Sequence, residues 1–310
     1  MDTSAHLLRR LDPNQGCTKS TCDASQSIYG YAPNLAATII FLILFALSGL
    51  TYIYQGLRSR TYFFSTAMSI GCFAQVLGYT AKLLLHNDPF SDLGFKLSVV
   101  ILTFAPAFYA AGIYYTLKHI SLTFNPSLSR LRPELYTWIF IACDLFSIIL
   151  QAIGGGIASG SPSTKILRVG DNVMITGLAV QVGTMLVFAG LAIDYGFAVR
   201  RNARMRSSRR LEFFFLVALG IAYFCILVRC AYRLAELAKG WGPQNGVLRM
   251  EGLFIGLDSV PCGIASVLLN VWHPGWCFPR ENQRDGGEKV GSFVGSSSDE
   301  DGGRGRDESC

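Results

Sequence analysis

The sequence predicts an all-α, polytopic membrane protein built as a bundle of seven transmembrane helices, and three observations carry that expectation. Hydrophobic residues make up 51% of the 310-residue chain and charged residues only 15%, whereas a soluble domain carries about 25% charged side chains. The mean hydropathy is +0.36. Seven runs are long and apolar enough to cross roughly 30 Å of hydrocarbon, which takes about 20 helical residues.

In chain order, residues 1–30 form a polar outer segment without the apolar core of a cleavable signal, so the first span is expected to act as its own insertion signal. The membrane domain covers 31–275. Its spans are expected at Pro33 to Tyr54, Tyr62 to Leu85, Phe95 to Leu117, Leu135 to Ala158, Val173 to Phe197, Leu211 to Leu234 and Gly252 to Trp272. Pro106 interrupts the third and Pro261 the seventh; each removes an N–H and frees a carbonyl one turn earlier, which marks both as hinges. Gly156 and Gly160, like Gly252 and Gly256, have the small-xxx-small spacing that suits close helix packing. Residues 276–310 are rich in Gly, Ser and charge, as in GSSSDEDGG, and form a tail that cannot bury enough apolar surface to fold alone. Ser296 to Ser298, beside Asp299 to Asp301, suit an acid-directed kinase as well as they suit plain solubility.

Basic residues orient the bundle. Arg58 and Arg60, then Lys118, Arg130 and Arg132, then Arg200, Arg201, Arg204, Arg206, Arg209 and Arg210 fall in loops on one side. The other side holds mainly Lys165, Arg168 and Lys239. This places the N-terminus outside and the C-terminus in the cytoplasm, with the arginine-rich loop beside anionic headgroups. A multi-pass location follows, the plasma membrane first and endomembranes second.

The nine cysteines do not form a disulfide framework. Cys72, Cys143, Cys225, Cys230 and Cys262 lie within spans, where thiols act as small hydrophobes. Cys17 and Cys22 share the outer segment and are candidates to pair, while Cys277 follows the last span at a position suited to S-acylation.

Polar residues inside the spans point to function, because a charge at mid-bilayer costs about 2.5 to 3.5 kcal/mol unless it faces partners or water. Gln75, Tyr79 and Lys82 fall at spacings of 0, 4 and 7, as do Arg229, Arg233 and Glu236. Asp144 and Gln151 are seven apart, as are Glu251 and Asp258, so each set shares a helix face. Spans six and seven run in opposite directions, which sets Arg229 and Arg233 at the depth of Asp258 and Glu251 and predicts pairing between them. Such pairs either fix helix register or line a polar pocket in the outer half.

Enzymatic chemistry finds little support. No GxxxxGK[ST] phosphate loop is present. The histidines, His6, His86, His119 and His273, lie in the tail, loops or span ends and do not converge as metal ligands. Asp258 sits in GLD rather than the GxGD of intramembrane aspartyl proteases, and no lysine stands midway along the seventh span to hold retinal. No enzyme activity, cofactor or metal is expected.

YAPN at 31–34, APAFYAAGIYYTL at 105–117, DLFSIILQAIGGG at 144–156, GLAVQ at 177–181, VRCAYRLAELAKGWG at 228–242 and WHPG at 272–275 together resemble the fungal lipid-translocating exporter family, which includes aminocholesterol-resistance proteins and sphingoid long-chain-base exporters. The second span departs from that family's E..GY..R pattern: it has Gln75, Gly78, Tyr79 and Lys82, so a charge is lost at position 75. The resemblance implies ATP-independent export of amphipathic lipids or toxic amphiphiles, linked to drug resistance. Gln75, Tyr79, Asp144, Gln151, Gln181, Arg229, Arg233, Glu236, Glu251 and Asp258 are the candidate substrate-binding residues. Asp144 would attract a cationic amine head, with Gln151 and Gln181 offering hydrogen bonds. Membrane lipids and an amphipathic or drug-like ligand are the expected partners, and nucleic acid is not. The alternative is a heptahelical lipid or stress sensor whose loop at 200–210 contacts a cytoplasmic protein.

Overall fold

Asn34 starts the first helix by accepting the Ala37 N–H on its side-chain oxygen at 3.2 Å, which satisfies one of the orphan donors of a helix N-terminus. The computed structural model describes residues 31, 33–124, 133–160, 164–201, 210–239 and 245–277. Helix α1 (Leu35–Ser59) ends where Arg60 adopts a left-handed conformation, φ 56°, and α2 (Tyr62–Asn87) follows after a short turn. Then come α3 (Asp92–Phe124), α4 (Pro133–Gly160), α5 (Thr164–Arg201) and α6 (Arg210–Ala238). The seventh span is composite: α7 (Glu251–Phe254), a π-helical turn (Ile255–Ser259) and α8 (Val260–Val271), followed by the short α9 (Pro274–Cys277). Among the described residues there is no strand.

All seven expected spans are present as helices long and apolar enough to cross a membrane. The fifth departs most from expectation. Its helix begins at Thr164 rather than near Val173, because TKILRVGDN is polar yet helix-compatible and hydropathy alone cannot see it. Lys165 and Arg168 are therefore on a helix, not in a loop. The N-terminal segment with Cys17 and Cys22, the arginine-rich stretch 202–209 and the tail beyond Cys277 lie outside the described residues.

Neighbouring helices pack in sequence around the bundle, α8 returns to α1, and α3 touches α6 across the middle. Ile40, Leu47, Leu57, Phe73, Ile149 and Leu186 point outward, as lipid-facing residues do. Inside, Phe45, Tyr52, Met68, Leu102, Tyr109, Ile226 and Leu269 form part of one continuous core.

The glycines that bring helices together are not those the spacing suggested. Gly156, Gly252 and Gly256 face open space. Instead, a Cβ at Gly154 would lie 2.5 Å from the Met174 backbone nitrogen, and one at Gly170 would lie 2.6 Å from the Ala158 nitrogen. Backbone meets backbone there, so α4 and α5 form a tight hairpin. The two prolines also differ. Helix α3 continues through Pro106, whereas Pro261 follows the π-turn, in which the Val260 N–H reaches back to the Ile255 carbonyl.

Candidate functional site

The buried residues of the expected site fall into two groups. The first is ionic. Arg229 and Arg233 lie one turn apart on α6 and so share a face, and their Nε–H groups both donate to Asp258 Oδ1, at 3.1 and 2.6 Å. Arg233 also donates from Nη1 to Glu236 Oε2 at 2.9 Å. Arg229 directs its other donors to Cys262 Sγ and the Leu102 carbonyl, both at 2.6 Å. Leu102 stands four residues before Pro106, so this is the carbonyl that the proline leaves without a helical donor.

Gln75 joins the same network by donating to Cys262 Sγ at 3.1 Å. Tyr79 lies 5.7 Å, centroid to centroid, from both Phe41 and Phe45. The Lys82 ammonium lies 2.9 Å from the centroid of the Phe254 ring, a cation–π contact strengthened by burial. Arg229 and Asp258 are fully buried, and Gln75, Tyr79, Lys82, Arg233 and Glu236 nearly so. Bringing such charges out of water is tolerable because they meet one another.

Glu251 does not join them. The expected pairing with Arg233 is corrected: Glu251 is half-buried and accepts the Asn34 backbone N–H at 2.5 Å. The π-turn begins at Ile255, after Glu251, and carries Asp258, so it breaks the 3.6-residue period that would hold both on one face. Asp258, inside that turn, faces α6, while Glu251 closes the rim of the bundle against the start of α1. His86 helps there by engaging the Pro33 carbonyl at 2.7 Å through Nδ1, which gives YAPN a structural meaning as a helix start tied to two other helices.

The second group lies among α3, α4, α5 and α6. Along one face of α4 run Phe140, Asp144, Ser147 and Gln151, all buried. Asp144 is 2% exposed, and neither of its carboxylate oxygens has a hydrogen-bond partner among the described residues. No ion pair among those residues includes it. The Tyr114 hydroxyl lies beside it, also without completing a bond. Toward Phe140 the site is closed by rings from four helices. Phe188 sits 4.2 Å from Tyr114, 5.4 Å from Phe140 and 5.3 Å from Tyr223, centroid to centroid. In the opposite direction, two turns along α4, Gln151 Nε2 donates to Gln181 Oε1 at 2.9 Å.

Nine of the ten expected residues are therefore buried inside the bundle, divided between the two groups, and Glu251 lies at the rim. The aromatic quartet Tyr114, Phe140, Phe188 and Tyr223 was not foreseen, though Phe140 precedes Asp144 by one turn and carried a readable signal. The acceptor role of Cys262 had none beyond its place in a span.

A family model described as RTA1 like protein matches residues 68–281. The chain is 32% identical, over 294 aligned residues, to the Sphingoid long-chain base transporter RSB1 of Saccharomyces cerevisiae (strain Lalvin EC1118 / Prise de mousse), covering 82% of this chain and 75% of that one. It is 26% identical to the Probable lipid transporter atnI of Emericella nidulans, covering 84% and 72% respectively. Identity is also 26% to Protoporphyrin uptake protein 1 of Saccharomyces cerevisiae, covering 81% of this chain and 93% of that one. No solved structure matches the chain.

Proposed function

This chain belongs to the RTA1-like family of fungal lipid-translocating membrane proteins, and from that premise we propose that it carries single-chain amphiphiles with a cationic amine head, sphingoid long-chain bases foremost, across the bilayer. The observation that carries the reading is Asp144, a carboxylate buried among four helices with no cation among the described residues and only the Tyr114 hydroxyl beside it. A charge left in that state is costly. An ammonium head removes the cost, because an ionic hydrogen bond in a water-poor site is among the strong ones.

The rest of the geometry suits passage. An amphiphile changing leaflets must take its head through hydrocarbon while its tail stays in lipid, and the stripe Asp144, Ser147, Gln151 supplies a polar track along α4. Because α4 and α5 pack on each other more extensively than on α3 or α6, the hairpin can swing as a unit and open the seams that flank the track. Transport proceeds without ATP on this reading, in keeping with the absence of a GxxxxGK[ST] phosphate loop from the sequence. With the N-terminus outside and the C-terminus cytoplasmic, α4 runs outward. A head entering from the cytoplasmic leaflet then meets Asp144 before Gln151, which is the order for export across the plasma membrane. No covalent step is involved.

The test is transbilayer movement of a fluorescent long-chain base in vesicles containing the purified protein. Wild type accelerates it with or without ATP, and Asp144→Asn, equally well folded, loses most of the acceleration. Unchanged movement in that variant removes Asp144 from the path. No acceleration by wild type returns the protein to the class of sensors.

A further inference from the structure

The hydrogen-bond inventory of the Gln151–Gln181 pair is incomplete in a specific way. One bond joins the two amides, at 2.9 Å, and it leaves Gln151 Oε1 and Gln181 Nε2 without partners among the described residues. Gln151 is 1% exposed and Gln181 is fully buried. Turning both amides over exchanges the labels but leaves the same inventory of one free carbonyl oxygen and one free NH2 group. Buried polar atoms normally find partners, so a carbonyl oxygen and an NH2 group left over on one bonded pair suit a ligand group that both donates and accepts.

The backbone around the pair is built for it. Gly177 lies one turn before Gln181, and a Cβ there would stand 2.8 Å from the Ser147 carbonyl and 3.0 Å from Gln151 Cγ. Only glycine lets α5 come near enough for the two amides to meet, which gives GLAVQ a physical content. The pair is also separate from Asp144: seven residues of α-helix span about 10 Å. The amine and hydroxyl of a long-chain base sit on neighbouring carbons, so one head cannot occupy both places at once.

We propose that Gln151 and Gln181 form a second binding station, distinct from Asp144, that recognises a hydroxyl on the head of the transported amphiphile. A hydroxyl accepts from Gln181 and donates to Gln151. An ammonium donates only, and a phosphate or carboxylate only accepts, so each leaves one amide atom unsatisfied. The proposal rests on the transport reading and adds selectivity to it: charge is read at Asp144 and the hydroxyl two turns later.

The experiment compares two probes in phosphatidylcholine vesicles containing the full-length protein: a long-chain 2-amino-1,3-diol and the primary amine of the same chain length. Wild type moves the amino-diol about tenfold faster, the discrimination expected when one of two buried amide atoms stays unpaired. Gln181→Leu brings the ratio of the two rates to about one, and Gln181→Met, closer in shape, carries the same expectation if leucine prevents folding. A wild-type ratio in a folded variant overturns the second station, as does a wild type that does not discriminate. Asp144→Asn slows both probes and keeps their ratio. Should Asp144→Asn change neither rate while Gln181→Leu erases the ratio, the carboxylate reading fails and the amide station stands.

Discussion

In the first group, Arg229, Arg233, Glu236 and Asp258 neutralise one another, and even the carbonyl released by Pro106 is taken up by a guanidinium. In the second group, Asp144, Gln151 and Gln181 are just as deeply buried, and Asp144 has no cation among the described residues, while Gln151 Oε1 and Gln181 Nε2 have no hydrogen-bond partner among them. Burial alone therefore does not separate structural from functional polarity in this bundle. Charge pairing does: the buried charges of the first group meet opposite charges, even though Gln75 Oε1 and Asp258 Oδ2 lack hydrogen-bond partners among the described residues, whereas Asp144 meets no cation among them.

The largest effect that tests this contrast comes from breaking the charge-paired side. Arg229→Ala leaves Asp258 short of a partner and the Leu102 carbonyl bare, and should lower stability by about 3 to 5 kcal/mol, read as a large drop in thermal unfolding temperature in detergent. Wild-type melting of that variant would erase the distinction. Asp144→Asn should do the reverse, keeping or slightly raising the melting temperature while reducing long-chain-base movement roughly ten- to hundredfold, the range for losing one ionic hydrogen bond of about 1.5 to 3 kcal/mol.

Helix packing sharpens the comparison next. Gly154→Ala drives a methyl into the α5 backbone and should cost about 1 to 3 kcal/mol, whereas Gly156→Ala, facing open space, should stay within about 0.5 kcal/mol. Equal effects would mean that the α4–α5 hairpin is looser than its backbone contacts indicate. The smallest change is expected at the rim. Glu251→Gln keeps an oxygen for the Asn34 N–H and should alter stability by less than about 1 kcal/mol; a loss comparable to that of Arg229→Ala would bring Glu251 back into the ionic network.

Much of this was legible in the sequence. Seven apolar runs gave seven helices, because in hydrocarbon a helix is the available way to satisfy the backbone of an isolated segment. Spacings of four and seven correctly turned Gln75, Tyr79 and Lys82, Arg229 and Arg233, and Asp144 and Gln151 inward. The spacing rule failed at Glu251 and Asp258, where the π-turn interrupts the helical period, and at the glycines, since a small-xxx-small pattern states that close approach is permitted but not where a partner lies. The start of α5 was missed because a hydropathy window stops where the bilayer stops, while the helix continues to Thr164. Which polar atoms would remain unpaired was beyond reach, as that depends on all four surrounding helices together.

Arg229 touches both irregular stretches of the bundle, the α3 backbone loosened by Pro106 and the π-turn that carries Asp258. Its guanidinium is a direct link between the two. A displacement of either stretch would strain the guanidinium's bond to the other, so the third and seventh spans are tied through one side chain.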